Sequence, residues 1–185
     1  MALIPYLDER EASPEVLAIL KARAFVLNIN LMTANAQSVF KYRSQMSGAL
    51  LTRIKLDPRL RELAILRTAK DCKSIYEWTQ HIPPAKFVGL TEEKIAAIED
   101  WREAGCFSEL ERLVLQLTDE VNDHVKGSRE TIEGLKRHLG AAEIVELLII
   151  IGHWRSTASI LETLEVELEE FAGTANILVN RPPLP

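Results

Sequence analysis

Four polar side chains interrupt segments of the chain that are otherwise rich in apolar residues. Glu62 lies in LRELAILR, and Ser74, Glu77 and His81 lie in CKSIYEWTQH. The last three are spaced i, i+3 and i+7, so they share one face of an α-helix. A carboxylate and an imidazole at the edge of a helical core can exchange and orient protons. The sequence therefore predicts a proton-transfer site here.

Each of these residues also has a purely structural interpretation. Glu62 is expected to be at least partly buried, and it could form a salt bridge with Arg59 or Arg67 instead of serving an imidazole. A histidine such as His81 near a helix end is often a cap or a satisfied core group. Glu77 lies one turn before it and could orient the ring, or the two could make only a helix-stabilising contact.

A second histidine, His153, follows the apolar run LLIIIG. On a helix it shares a face with Ile149, Ser156, Thr157 and Ile160. This mixture of apolar and small polar residues is typical of a pocket wall, but a core histidine bonded to a helix carbonyl would give the same pattern. Both interpretations stay open at the level of sequence.

Metal and thiol chemistry have weaker support in the sequence. His81, Glu77, Glu62 and His153 could ligate zinc or iron, but no HxxxH or HExxH pair fixes two ligands at once. Cys72 is flanked by Lys70 and Lys73 but also by Asp71, so nothing adjacent clearly lowers its pKa. We therefore expect no metal and no cofactor.

Composition indicates one soluble globular domain in 185 residues, with 47% hydrophobic and 26% charged side chains. The formal charge of −5 gives no electrostatic reason to expect nucleic acid. The N-terminus does not resemble a signal peptide, and two cysteines without a CxxC fit a reducing cytoplasm. The apolar run from Ile144 to Trp154 contains Glu146 and His153, which favours a buried helix over a membrane span.

Helical periodicity and capping residues recur along the chain, and no alternating strand pattern is present, so the predicted fold class is all-α. Expected helices run from Pro14 to about Ala24, near Asn30 to Leu51, Pro58 to about Lys70, across CKSIYEWTQH, Thr91 to Trp101, Ser108 to about Val125, Ser128 toward His138, and Ala141 to Phe171 with a possible joint near Gly152. Pro83 and Pro84 should disturb a helix and place His81 near a kink or an end, and Gly89 should stop it. We expect a helical domain over 1–172 and an extended tail over 173–185.

The order of these motifs resembles a known family. LRELAILRTAKDCKSIYEWTQH, GLTEEKIAAIEDW, FSELERLVLQLTDEV and ELLIIIGHWRSTASILETL are similar to segments of the carboxymuconolactone decarboxylase superfamily, which includes alkylhydroperoxidase D, or AhpD. The similarity covers roughly residues 30 to 165. It implies an all-helical, AhpD-like fold and a homo-oligomer, a homotrimer or homohexamer.

The peroxidase branch of this superfamily uses a glutamate, a CxxC pair and a histidine three residues after the second cysteine. By resemblance, the glutamate corresponds to Glu62 and the histidine to His81, while Ser74 and Glu77 occupy the two thiol positions. A hydroxyl and a carboxylate cannot carry out thiolate attack and disulfide formation. Thiol-dependent peroxide reduction is therefore not expected.

The lyase branch lacks the thiols, and similarity to it implies proton transfer on a small carboxylic acid or lactone. His81 would then carry the proton, with Glu62 and Glu77 as its orienting and tuning carboxylates. The expected substrate pocket comprises Ser74, Tyr76, Trp78, His153, and Arg67 or Arg155 as the carboxylate anchor. Two alternatives remain: an antioxidant, peroxiredoxin-type protein that lacks the CxxC pair and relies on Cys72, and a non-catalytic helical oligomer.

Overall fold

The computed structural model describes residues 1–169, and within this range the chain forms nine α-helices and no β-strand. The helices are α1 (Pro14–Lys21), α2 (Asn28–Ala34), α3 (Gln37–Thr52), α4 (Pro58–Asp71), α5 (Ile75–Phe87), α6 (Glu92–Ala97), α7 (Glu109–His124), α8 (Arg129–Leu135) and α9 (Ala141–Thr163). The predicted all-α class is confirmed for the described residues. The predicted tail from residue 173 lies outside them.

Helix starts were predictable from their capping residues. Ser13, Asp57, Thr91, Ser108 and Ser128 each accept a backbone N–H from the first turn of the helix that follows. Such side chains satisfy N–H groups that have no partner within the helix. The capping box at Ser108 is also present, because the Glu111 carboxylate accepts the Ser108 N–H at 2.8 Å.

The helix predicted from Asn30 to Leu51 is wrong as a single element. It is divided into α2 and α3 because Ala36 adopts a non-helical backbone, with φ −86° and ψ 62°. The Asn35 side chain stabilises the break by donating hydrogen bonds to the carbonyls of Pro5 and Met32. Side-chain bonding of this kind competes with helix continuation.

A helix end at Pro83 and Pro84, one of the two expected outcomes, is wrong. Both prolines lie inside α5, which continues to Phe87 and ends before Gly89, whose φ of 97° makes it the predicted stop. Two carbonyls of the helix, at Thr79 and Gln80, consequently lack their usual N–H donors. His81 therefore lies in the interior of α5, on a fixed helical backbone, and not at its end.

Helix α4 is the central element of the core and packs against α5, α7 and α9. Its residues from Glu62 to Leu66 are all fully buried. Leu115 and Leu117 from α7, with Leu147 and Ile150 from α9, complete the apolar surroundings. A carboxylate at position 62 is thus removed from water and must find partners inside the protein.

Helix α9 is one continuous helix across Gly152 and ends at Thr163, short of the predicted Phe171. By length and composition it could cross a membrane, with a mean hydropathy of 1.4 over its most apolar stretch. A core helix has the same pattern, and α9 contributes Leu147, Ile150, Ile151 and Trp154 to the core. It therefore forms one wall of the molecule beside α4 and α7.

Candidate active site

The carboxylate of Glu62 is fully buried and has a partner at each oxygen. The Arg61 Nε–H donates to Oε1 at 2.9 Å, and Oε2 lies 2.8 Å from Nδ1 of His81. Burial alone would raise the pKa of this carboxyl, but His81 and the Arg61 guanidinium together bring the pKa below its usual value. Glu62 is therefore an ionised acceptor, and the alternative salt bridges to Arg59 or Arg67 are not formed.

The hydrogen bonds around His81 define its tautomer. The Trp154 indole Nε1–H donates to Nε2 of His81 at 2.8 Å. An indole nitrogen can only donate, so Nε2 must be the acceptor. The ring proton then lies on Nδ1 and is donated to Glu62. His81 is a neutral imidazole held between a carboxylate and an indole.

His81 and Trp154 border a cavity of about 190 Å³ between α2, α3, α5 and α9. Apolar side chains from the segment before α2, from α2, α3 and α5 form one part of its wall: Phe25, Leu27, Ile29, Leu51 and Pro84. Polar and cationic side chains form another part: Arg23, Arg43, Ser44, Ser47, His153 and Thr157. The cavity can therefore hold a small molecule with one apolar and one anionic part.

His153 lines this cavity as a second imidazole. Its Nε2 lies 2.8 Å from Oγ of Ser47 on α3. Burial, with a contribution from the Arg43 cation, lowers the pKa of His153 to about 4. The His153 ring is thus neutral at physiological pH and serves as a polar but uncharged part of the wall.

Arg43 is one of the two cations that the described residues place on this wall. One guanidinium N–H donates to Oγ1 of Thr157 at 2.8 Å. Within residues 1–169 no carboxylate oxygen lies within 4.0 Å of its guanidinium, although Glu77 contributes a longer-range attraction. Burial lowers the pKa of Arg43, which nonetheless stays cationic. A buried cation of this kind favours an anionic group in the adjoining cavity.

Glu77 was expected to help orient His81, and this expectation needs correction. The Glu77 carboxyl is buried, and neither of its oxygens has a hydrogen-bond partner in the described part of the chain. Burial raises the pKa of Glu77 well above its usual value, Arg43 opposes this, and Glu162 adds to it. The carboxylate that contacts His81 comes from α4, not from the preceding turn of α5.

Three of the expected pocket residues lie elsewhere. Ser74 is the N-cap of α5 and accepts the Glu77 N–H. Tyr76 packs in a separate apolar cluster and donates its hydroxyl to Glu169. Trp78 lies under the Lys70 ammonium, 4.3 Å from the ring centroid. None of the three lines the cavity, because the helix directs them to α4 or to the C-terminal segment.

The two arginines expected to bind a substrate carboxylate are already occupied. Arg67 forms ion pairs with Asp71 at 2.7 Å and with Asp119. Arg155 donates to the Val121 carbonyl at 3.1 Å, on the α7 side of the molecule. Neither lines the cavity described above. The cavity cations are instead Arg43 and Arg23, which lie outside the segments where the sequence predicted a site.

The thiol of Cys72 is unsuited to peroxide chemistry. It is the residue after α4 and is half-buried. Burial, with the nearby carboxyl groups of Glu77 and Asp71, raises its pKa to about 11. A thiol must be a thiolate to attack a peroxide. Among residues 1–169, moreover, no three His, Cys, Asp or Glu side chains are grouped as metal ligands.

Sequence reasoning missed Trp154, Arg43 and Ser47. Trp154 carried a usable signal, because a tryptophan on a buried helix stripe needs an acceptor for its indole N–H. Arg43 and Ser47 are one turn apart on α3, but a helix with an arginine and a serine on one face is typical of a solvated surface. Their role in the cavity wall depends on how α3 packs against α9, which spacing alone does not reveal.

The fold and the site together define an all-helical protein with a buried carboxylate–imidazole–indole chain beside a small cavity. The resemblance found in the sequence is confirmed, since residues 37–120 match the Carboxymuconolactone decarboxylase family. This part of the chain contains α3, α4, α5 and α6 and most of α7, and thus Glu62 and His81. No curated protein matches the sequence.

Solved structures give the same fold. A protein of unknown function from Agrobacterium tumefaciens, grouped with the antioxidant defence protein AhpD, is 23% identical with a TM-score of 0.68, over 74% of this chain and 94% of its own. An uncharacterised peroxidase-related protein from Ralstonia eutropha JMP134, with an alkylhydroperoxidase AhpD core, is 14% identical with a TM-score of 0.79, over 91% and 93%. The debrominase Bmp8, in complex with 2,3,4-tribromopyrrole, is 14% identical with a TM-score of 0.76, over 92% and 93%. These similarities establish an AhpD-like fold.

Proposed function

We propose that this protein is a cofactor-free lyase or isomerase that transfers a proton on a small carboxylic acid or lactone, with His81 as the proton carrier. The observation that carries this proposal is the polar chain from Arg61 through Glu62 and His81 to the cavity. A carboxylate behind the ring stabilises the imidazolium that forms when His81 accepts a proton. The match of residues 37–120 to the Carboxymuconolactone decarboxylase family is consistent with carbon-acid chemistry of this kind.

The direction of the first proton transfer follows from the tautomer. A neutral His81 with its proton on Nδ1 can accept a proton at Nε2 but has none to give into the cavity. The resting site is therefore better suited to removing a proton from a substrate than to supplying one. This favours isomerisation, in which the same ring takes a proton and returns it, over a decarboxylation that begins from a charged imidazole.

The substrate carboxylate would be bound by Arg43, in place of the expected Arg67 or Arg155. Arg43 is a cation in the cavity wall, and Ser47 and Thr157 beside it provide hydroxyl groups. A guanidinium binds a carboxylate through two parallel N–H groups and so orients it. The cavity volume of about 190 Å³ limits the substrate to a small acid or lactone.

Deuterium exchange tests this proposal across many compounds at once, so the substrate need not be identified first. A panel of lactones and keto acids would be incubated with the protein in D₂O, and the loss of C–H signals followed by NMR. His81→Gln, which can still donate a hydrogen bond to Glu62, should slow exchange of a responsive compound by about 10²- to 10⁴-fold. His124→Ala, at an exposed position, is the matched control and should exchange at the normal rate. Equal rates for His81→Gln and the unmodified protein would refute the role of His81.

We also propose that the protein acts as a homotrimer or homohexamer in the cytoplasm. Support for assembly comes from apolar side chains that α3 and α9 leave exposed: Val39, Tyr42, Met46, Val145, Leu148 and Ile149. Apolar side chains left exposed on a helix are typical of subunit contacts. Light scattering coupled to size-exclusion chromatography measures the assembly, and a monomer at micromolar concentration would contradict it.

A further inference from the structure

The lone pair that His81 needs for proton transfer is already occupied. A neutral imidazole has one unprotonated nitrogen, here Nε2, and the Trp154 indole N–H is bonded to it at 2.8 Å. The ring cannot accept a substrate proton while this bond persists. Trp154 thus controls access to the base of the proposed reaction.

Trp154 cannot simply be pushed aside. The indole is 4% exposed, and its ring packs edge-on against His81 with centroids 5.5 Å apart and an interplanar angle of 82°. A buried N–H that loses its acceptor destabilises the protein, because it is left without any hydrogen-bond partner. A substrate that replaces Trp154 at Nε2 must therefore offer the indole N–H a new acceptor close by.

We propose that Trp154 has two roles: it masks His81 in the free protein, and it donates a hydrogen bond to a substrate carbonyl oxygen during proton transfer. The site would then take carbon acids whose acidic C–H is next to a carbonyl group. Nε2 of His81 and Nε1 of Trp154 are 2.8 Å apart. The base can therefore approach the acidic C–H while the indole N–H reaches the neighbouring carbonyl oxygen of the same substrate. This inference rests on the proposed use of His81 and specifies its substrate class.

The reaction step is balanced without an oxidant or a reductant. Nε2 of His81 takes the proton, and the C–H electron pair forms a carbon–carbon double bond. The carbonyl electrons move to oxygen, and the enolate oxygen accepts the Trp154 N–H, which stabilises the developing charge. Return of the proton from His81 to the same or a conjugated carbon completes the exchange or isomerisation.

The masking of His81 Nε2 by Trp154 is tested by the reactivity of His81 toward diethyl pyrocarbonate, which acylates an unprotonated imidazole nitrogen. Trp154→Phe retains an aromatic ring but removes the donor, and acylation of His81 should become roughly 2- to 10-fold faster, as the loss of one hydrogen bond allows. Trp78→Phe, on the same helix as His81 but outside the cavity, is the matched control, and exposed His124 is the internal reference. An unchanged rate in Trp154→Phe would overturn the masking role.

The donor role is tested by NMR of the three tryptophan indole N–H groups. Pyruvate is the probe, and propionate, which has the carboxylate but no ketone, is its control. Pyruvate should move the Trp154 signal and propionate should not, while the Trp78 and Trp101 signals stay in place. Equal movement with both acids, or no movement with either, contradicts the donor role. A failure of the proposed function is distinguishable, because it appears as absent C–H exchange whatever the indole signal does.

Discussion

Glu77 and His81 lie one turn apart on α5 but have opposite surroundings. Both are largely buried. His81 has a partner for each ring nitrogen, from Glu62 and Trp154, and it borders a cavity. Glu77 has no hydrogen-bond partner in the described part of the chain, and its burial is not compensated.

The difference separates two kinds of chemistry that this fold could support. In the peroxidase branch that the sequence resembles, the position of Glu77 is a thiol, and the region around it performs redox work. Here that region holds Glu77 and Cys72, and burial raises the pKa of both side chains. The carboxyl groups of Glu77 and Asp71 raise the pKa of the Cys72 thiol further, which disfavours the thiolate that redox chemistry requires. The His81 region retains the partners that proton transfer requires. Chemistry is expected on the cavity side of α5 alone.

The largest expected effect comes from removing the carboxylate behind His81. Glu62→Ala leaves the Arg61 guanidinium buried without its anion, and we expect a loss of about 3–5 kcal/mol in the free energy of unfolding. Chemical denaturation at neutral pH measures it. Glu99→Ala, which breaks only the surface pair with Lys70, is the control and should have little effect. A small loss of stability in Glu62→Ala would contradict the contrast between the well-paired surroundings of His81 and the unpaired Glu77.

The fold was largely predictable because its signals are local. Caps such as Ser13, Asp57 and Ser108 act through hydrogen bonds to the next turn, so residue type and spacing suffice to place a helix start. The interior of α5 was harder to predict. Pro83 and Pro84 normally end or bend a helix, yet tertiary packing keeps α5 continuous to Phe87. Local preference is overridden there by the contacts of the helix with α4 and α6.

The site was predictable only in part, because its partners come from separate helices. Glu62 and His81 could be identified as polar residues on apolar segments. That α4 would supply the acceptor for His81, and α9 the donor, depends on how three helices pack. Arg43 was missed for the same reason, since α3 meets α9 only in the folded chain. The prediction named Glu77 together with Glu62, because Glu77 lies one turn from His81 on the same helix, but only Glu62 is hydrogen-bonded to the ring.

The second-largest effect concerns the neutral His153 in the cavity wall. Its pKa is lowered from 6.5 to about 4 by burial, so the unfolded chain binds a proton first as the pH falls. Stability from this group is complete above pH 6.5 and declines between pH 6.5 and about 4. We expect a decline of about 1–2 kcal/mol, reduced because the ring is partly solvated.

Denaturation of the unmodified protein and of His153→Gln, compared across this pH range, isolates the contribution of His153. The variant should lose less stability toward low pH. His138→Gln, at an exposed position, is the control and should follow the unmodified protein. Parallel curves for all three would mean that His153 is not desolvated in the fold.

An effect of opposite sign is expected from Glu77. Its folded pKa is raised above the usual 4.5 by burial, so above that pH the unfolded chain releases a proton that the folded chain retains. The free energy of unfolding should therefore decline as the pH rises above 4.5, and Glu77→Gln should remove the decline. The variant should be more stable than the unmodified protein at about pH 8 and not at about pH 4. The reverse order would indicate that Glu77 is ionised and paired, and the contrast with His81 would disappear.

Cys72→Ser is expected to have the smallest effect of these variants, because the Cys72 thiol should not react with peroxide. With a pKa of about 11, about one Cys72 thiol in ten thousand is ionised at pH 7. Peroxide consumption in the presence of a dithiol should therefore be as slow with the protein as with Cys72→Ser, and alkylation of Cys72 by iodoacetamide should accelerate steeply toward about pH 10. A rate of peroxide consumption that depends on Cys72 would indicate redox chemistry on the Glu77 side of α5. Since Ser74 and Glu77 leave Cys72 without a neighbouring thiol in this segment, the redox cycle would then need a resolving thiol from Cys106 or from another molecule.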